Sequence, residues 1–211
     1  MKRIIISLII CFILIPLKGI SNNQQNNISM AIDALNSADY QKAIDIYSNI
    51  ISSYDQYAPT FYGRGMAYFY LDENNKAIND FNNAIKLKSD YFDAYLGLGL
   101  AALQSGQINK SIDNLTKALG INQSDRAYYS RGIAYYIQEN YKEAVNDFSS
   151  ALEVNPKNLL AYYGRGISYY QLKNYNNAKL DFDYFIMSNA EEKELKNECR
   201  RLLDVILDKN R

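Results

Sequence analysis

Apolar residues recur at three- and four-residue intervals along most of the chain, and the runs are broken at regular places. Residues 125–158 read DRAYYSRGIAYYIQENYKEAVNDFSSALEVNPKN. Two periodic runs flank a polar turn at Gln138-Glu139-Asn140, and Pro156 closes the unit. This spacing predicts two amphipathic helices folded back on each other. Small residues stand at Gly132, Ala144 and Ala151, and large ones at Tyr128, Tyr135, Tyr141 and Phe148. Gly132 and Ala144 are expected where the two helices approach. A mid-helix glycine costs about 1 kcal/mol relative to alanine, so keeping one there implies a close contact rather than a turn. A single hairpin cannot bury its apolar face, so the rest of the chain is expected to supply copies.

It does so at a spacing of 33–34 residues. Residues 24–57 carry Tyr40, Ala43, Tyr47 and Ile50 at the second-helix positions, with a degenerate first half. Residues 58–91 match through Phe61, Gly65, Tyr68, Ala77, Phe81 and Ala84. Residues 92–124 match through Tyr95, Gly99, Leu115 and Ala118, with Ala102 in place of the usual Tyr and Ser111 in place of Ala. Residues 159–190 match through Tyr162, Gly166, Tyr169, Tyr175, Ala178 and Phe182, with Phe185 where Ala is usual. In residues 191–209, Leu195, Cys199, Leu202, Leu203 and Ile206 form one helical stripe opposite a charged face. This predicts a capping helix.

The order aromatic, small, aromatic, Ala, aromatic, Ala, Pro resembles the tetratricopeptide repeat, a 34-residue helix–turn–helix unit. The resemblance covers residues 24 to about 190 as five repeats, the first degenerate. It implies an all-α fold, an α-solenoid in which antiparallel helix pairs stack into a right-handed superhelix. It also implies work by binding, on a concave face lined by the first helix of each repeat. By position that face would carry Tyr62, Met66, Phe69, Tyr70 and Leu100, then Tyr129, Ile133 and Tyr136, then Tyr163, Ile167 and Tyr170. Chaperone-binding members use a Lys/Asn/Arg clamp there for a carboxylate. That set is missing from these positions.

The N-terminus breaks the pattern. Lys2 and Arg3 precede an apolar run from Ile4 to Ile15 interrupted only by Ser7; Pro16 and Gly19-Ile20-Ser21 follow. This is the layout of a secretory signal peptide over residues 1–21, and the run is short of the ~20 apolar residues that span a bilayer. Ile10 before Cys11 does not suit a lipoprotein. Export to a periplasm, cell envelope or medium is expected, with membrane contact only through an uncleaved segment. Residues 22–27 are expected to be a short polar leader.

Composition narrows the chemistry. The 211 residues are 48% hydrophobic and 22% charged, the balance of a folded chain. Formal charge is zero, and without Lys2, Arg3 and Lys18 it becomes −3, which is no footprint for nucleic acid. There is no histidine, and Cys11 and Cys199 are the two cysteines. A histidine triad, a histidine metal site and a cysteine cluster are excluded, and no cofactor is implied. Cys199, on the cap stripe, is expected to be a core residue.

Gly63-Arg64-Gly65 and Gly164-Arg165-Gly166 lie inside helical patterns with no preceding strand, so they are not phosphate loops. Their arginines are more informative. Arg64, Arg131 and Arg165 are each followed sixteen residues later by Asp80, Asp147 and Asp181, whereas the third repeat has Leu98 and Asn114 there, and the first Met30 and Ile46. Arg and Asp occur together or not at all. This predicts three structural ion pairs, each joining the helices of its repeat. No paired carboxylates or nucleophile-plus-base arrangement stands out, so the chain is not expected to be an enzyme. The favoured expectation is an interaction scaffold that takes a peptide or helix of a protein partner. The alternative is binding of sugars or cell-wall fragments on the Tyr-lined surface, and self-association is a further option.

Overall fold

The computed structural model describes residues 22–54 and 56–209. Among them are eleven helices: α1 (Asn22–Asn36), α2 (Tyr40–Ser53), α3 (Ala58–Tyr70), α4 (Asn74–Leu87), α5 (Phe92–Gln104), α6 (Ile108–Ile121), α7 (Asp125–Ile137), α8 (Tyr141–Val154), α9 (Leu159–Gln171), α10 (Tyr175–Met187) and α11 (Lys193–Lys209). In chain order they form five helix–turn–helix repeats and a terminal helix. The fold is a tetratricopeptide α-solenoid. The expected signal peptide lies outside the described residues. Residues 22–27 form the first turns of α1 rather than a separate leader, because Ile28, Ala31, Ala34 and Leu35 give that helix an apolar face to bury.

One turn geometry serves all five repeats. Ala38, Asp72, Gly106, Glu139 and Lys173 have φ between 60° and 72°. The next residue's N–H reaches back five positions, as in Asn140 to the Tyr135 carbonyl at 2.9 Å and Asn174 to the Tyr169 carbonyl at 2.9 Å. This left-handed cap satisfies carbonyls at the end of the first helix. The same next residue is the N-cap of the second helix; Asp39 and Asn174 also accept from the N–H three residues on. Only Gly106 adopts this conformation without a side-chain cost.

Packing divides the described residues into two units, unit 1 up to residue 101 and unit 2 from residue 102 on. In unit 1, α1 packs on α2, α2 on α3 and α3 on α4. A core of Ile28, Ala31, Leu35, Ala43, Ile44, Tyr47 and Ile50 holds α1 and α2 together. In unit 2, α7 packs on α8, α8 on α9, α9 on α10 and α10 on α11. Phe185, which stands at an alanine position of the other repeats, is buried with Cys199 and Ile206. A large side chain fits there because the neighbour is the terminal helix.

The glycines set the helix spacing. A Cβ on Gly65 or Gly97 would fall 2.8 Å from the Phe81 ring. On Gly132 or Gly164 it would meet Phe148 at 2.9 or 2.6 Å. Each ring is thus held between a glycine of its own repeat and one of the next repeat. Gly63 clears Tyr47 and Gly166 clears Phe182 in the same way. Where the ring is replaced by Leu115, the corresponding next-repeat position is Ser130, not glycine. A smaller side chain on one helix permits a larger one on its neighbour.

Candidate functional site

The three arginine–aspartate pairs lie inside their repeats. In each, Nε and Nη2 of the arginine donate to the two carboxylate oxygens, at 2.7 and 2.8 Å for Arg64–Asp80 and Arg131–Asp147, and at 2.8 Å twice for Arg165–Asp181. The aspartates are buried. The third nitrogen reaches a hydroxyl in the preceding repeat: Arg64 Nη1 to Ser48 at 3.1 Å, Arg131 to Thr116 at 2.9 Å, and Arg165 to Ser149 at 3.3 Å. Each guanidinium therefore ties three helices. Aromatic rings lie beside it, with Tyr162 centred 5.5 Å from Arg165 and Tyr128 and Tyr135 each 5.9 Å from Arg131. Hydrogen bonding to the aspartate raises each arginine's pKa above its ordinary value, partly opposed by burial. A shallow depression beside this site is lined by Arg64, Tyr68, Asn75, Lys76, Asn79 and Asp80. Its cations are paired with Asp80 and Glu73, which leaves no free charge to attract an anion. The hydroxyl partner was not anticipated from the sequence, although it stands fifteen or sixteen residues before each arginine.

The expected partner-binding residues divide into two groups. In unit 1, Tyr62, Met66, Phe69 and Leu100 are buried, so they are core and not a surface. Tyr62 is packed between Phe81 and Tyr91, at 5.9 and 5.4 Å between ring centres. Tyr70 is half-buried, but it stacks on Tyr40 at 4.9 Å and 17°. The concave-face row expected in unit 1 is therefore part of the core, which takes both rows of first-helix side chains.

In unit 2, Tyr129, Ile133, Tyr136, Tyr163, Ile167 and Tyr170 are half-buried. Helices α7 and α9 touch directly, which brings their side chains to one face. Tyr129 leans on Phe148 at 5.7 Å, Tyr136 meets Tyr141 at 5.4 Å, and Tyr170 meets Tyr175 at 5.7 Å. Gln171 Nε2 donates to the Tyr136 hydroxyl at 3.4 Å. The terminal helix claims part of this set. Tyr163, Ile167 and Tyr170 pack against the cluster of Phe185, Cys199 and Ile206, and the Tyr163 hydroxyl donates to Glu198 Oε2 at 2.8 Å. Burial, with Glu198 second, raises the Tyr163 phenol's pKa well above the ordinary range. Burial, with Glu192 second, does the same to Tyr129.

Unit 2 also carries a surface feature that was overlooked. Leu180, Tyr184 and Met187 form one stripe of α10 and are 67, 47 and 86% exposed. The matching positions in the other repeats are Asp45, Asn49 and Ser52; Asn79, Asn83 and Lys86; Asp113, Lys117 and Gly120; and Asn146, Ser150 and Glu153. Aligning the repeats on that face would have exposed the contrast. Among the described residues, no group of three metal-ligating side chains comes together, and no helix is long and apolar enough to cross a membrane.

Models of this repeat match residues 65–106 (TPR repeat), 92–125 (Tetratricopeptide repeat) and 126–158 (Tetratricopeptide repeat). Residues 65–158 carry tetratricopeptide repeats. Several solved structures share the fold. MamA is 21% identical, with a TM-score of 0.69 over 83% of this chain and 94% of its own. A tetratricopeptide repeat protein from Parabacteroides merdae ATCC 43184 is 21% identical, with a TM-score of 0.74 over 90% of this chain and 75% of its own. YrrB, described as a TPR protein with an unusual peptide-binding site, is 20% identical, with a TM-score of 0.69 over 85% of this chain and 94% of its own. At these identities the likeness is one of fold. No curated protein matches the sequence.

Proposed function

We propose that the protein is a non-enzymatic interaction module, and that a peptide or helix of a protein partner docks on the α7–α9 face of unit 2. The observation that carries this is the state of Tyr129, Tyr136 and Tyr170. Each already has a ring neighbour, yet each stays half-buried on a shared face. Tyrosine brings large, rigid contact area with a polar tip at little entropic cost. Tetratricopeptide proteins commonly mediate protein–protein interaction, and YrrB has a peptide-binding site, which supports the same reading.

The test is capture of partners from the native source under mild crosslinking, with the wild type and with a Tyr129→Ala/Tyr136→Ala/Tyr170→Ala variant. Tyr163 is left intact because its hydroxyl is hydrogen-bonded to Glu198 of α11. A partner lost in a variant that keeps its helical circular dichroism supports the reading. A partner retained by that variant contradicts it.

We further propose that the chain is exported, on the strength of the charged start and apolar run of residues 1–21. N-terminal sequencing of the native protein decides this: a start near residue 22 agrees, and an intact Met1 on a soluble native protein refutes cleavage.

A further inference from the structure

The exposed stripe on α10 is not used by the fold. Ala178, Phe182 and Phe185 supply the buried side of that helix. Leu180, Tyr184 and Met187 lie on the opposite side. Single apolar residues on a surface are ordinary, but a contiguous row marks a contact. The second helices of the four other repeats carry polar residues or glycine along this row. The middle ring is already held: Tyr184 lies on Tyr162 of α9, with ring centres 4.1 Å apart and planes at 32°. A ring fixed in this way loses little freedom when something covers it.

The row is its own complement. Leu180 and Met187 are seven residues apart, about 10 Å along the helix, and their midpoint falls beside Tyr184. A second α10 turned end for end therefore sets Leu180 on Met187 of the second copy at both ends. The two Tyr184 rings then meet at the centre. Charge does not oppose this. Asp181 is buried with Arg165, and the remaining charges of α10 are Lys179 and Asp183, paired at 3.2 Å along one edge of the row. The two Asp183 carboxylates come near the twofold axis, and each keeps its own Lys179 as counter-ion. At the C-terminal end of α10, Lys196 donates its Nζ to the Ser188 carbonyl at 2.6 Å.

We propose that the α10 stripe is a self-association surface, on which a second copy of this chain packs its own α10 antiparallel about a twofold axis. Area sets the strength. The three side chains offer roughly 400–500 Å² per copy, the size of the largest apolar patch on an ordinary monomer. With the stems of the flanking residues the pair buries about 1,000 Å² in total, at the low end for a specific interface. The dimer is therefore weak and reversible. It leaves the α7–α9 docking reading untouched and does not depend on it.

Sedimentation equilibrium of the native protein, from about 5 to about 300 μM, tests the proposal across the range expected of so small an interface. The average mass is expected to climb from one chain towards two. A Leu180→Asn/Tyr184→Asn/Met187→Lys variant copies the row of α4, which carries Asn79, Asn83 and Lys86. It is expected to keep its helical circular dichroism and stay monomeric, its association weakened by at least tenfold. A Glu143→Gln/Glu153→Gln variant, altered at exposed positions of α8, is expected to dimerise like the wild type. A wild type that stays monomeric throughout, or a stripe variant that associates equally well, overturns the proposal. Growth beyond two chains overturns the closed twofold arrangement.

Discussion

Gly164→Ala puts the packing argument at risk in a single substitution. On helix propensity alone the change stabilises α9, by about 1 kcal/mol. The structure predicts the reverse. The new Cβ would lie 2.6 Å from Phe148 Cζ and 2.7 Å from Cε1. Relief needs the ring to move by roughly 0.7 Å or more to reach ordinary contact. Phe148 cannot simply retreat, because Gly132 on its other side leaves 2.9 Å to an equivalent Cβ position. Overpacking of this kind costs about 1–3 kcal/mol. Set against the propensity gain, a net loss of about 1 kcal/mol is expected. Gly120→Ala is the matched control. It also lies in a helix, with nothing within 4 Å of its added Cβ, so it is expected to gain a few tenths to about 1 kcal/mol. Urea unfolding followed by circular dichroism measures both, compared at unchanged slope. Phe148→Leu, which copies the Leu115–Ser130 arrangement, is expected to absorb part of the Gly164→Ala cost in a double-mutant cycle. A Gly164→Ala protein more stable than wild type would refute the claim that these glycines exist to clear the rings.

Other predictions follow from the same geometry. Tyr47 occupies the ring position taken elsewhere by Phe81, Phe148 and Phe182, and among the described residues its buried hydroxyl has no hydrogen-bond partner. Tyr47→Phe is therefore expected to raise stability by about 1 kcal/mol in the same unfolding assay; a loss of that size would contradict the reading. Asp147→Ala strands Arg131, whose side chain is 17% exposed. A loss of about 2–4 kcal/mol is expected, whereas Asp183→Ala, which breaks the open Lys179–Asp183 pair, should change stability by less than about 1 kcal/mol. Equal effects would deny the pairs their structural role. Burial, with Glu198 second, pushes the Cys199 thiol up to about 12, from an ordinary value of 9.0. The folded state thus favours the protonated thiol. Its contribution is complete below pH 9 and is lost as pH rises towards 12. The urea midpoint is expected to fall over that window, less steeply in Cys199→Ala, with native Cys199 resisting thiol reagents at pH 8. Rapid native labelling would contradict this.

The repeat length, the turns and the arginine–aspartate pairs were legible because each depends on residues at fixed offsets within one repeat. Tyr128 to Tyr135, or Arg131 to Asp147, is a distance along a single hairpin, and periodicity reports it directly. The state of the first-helix aromatics was not legible. Tyr62 and Tyr129 hold equivalent positions, yet one is buried between Phe81 and Tyr91 and the other keeps part of its surface accessible. Their difference comes from what packs on them, which no offset encodes. Residues 22–27 misled for a related reason. Their polarity reads as a leader, but a helix can extend through polar residues once Ile28 and Ala31 anchor the next turn. The clearance of Phe148 by Gly164 was written in the sequence at a sixteen-residue spacing. It was missed because it links two repeats rather than one. The apolar stripe on α10 was equally visible and needed only a comparison of one face across the five repeats.

The central claim is that the α7–α9 face of unit 2 holds the partner. Site-specific photo-crosslinking tests it most directly. A photoreactive residue is placed at Ile137, exposed at the end of α7, and, in a second protein, at Glu153 on α8. The account predicts that the partner is trapped from position 137 and not from 153. Trapping from 153 alone, or equally from both, would contradict it.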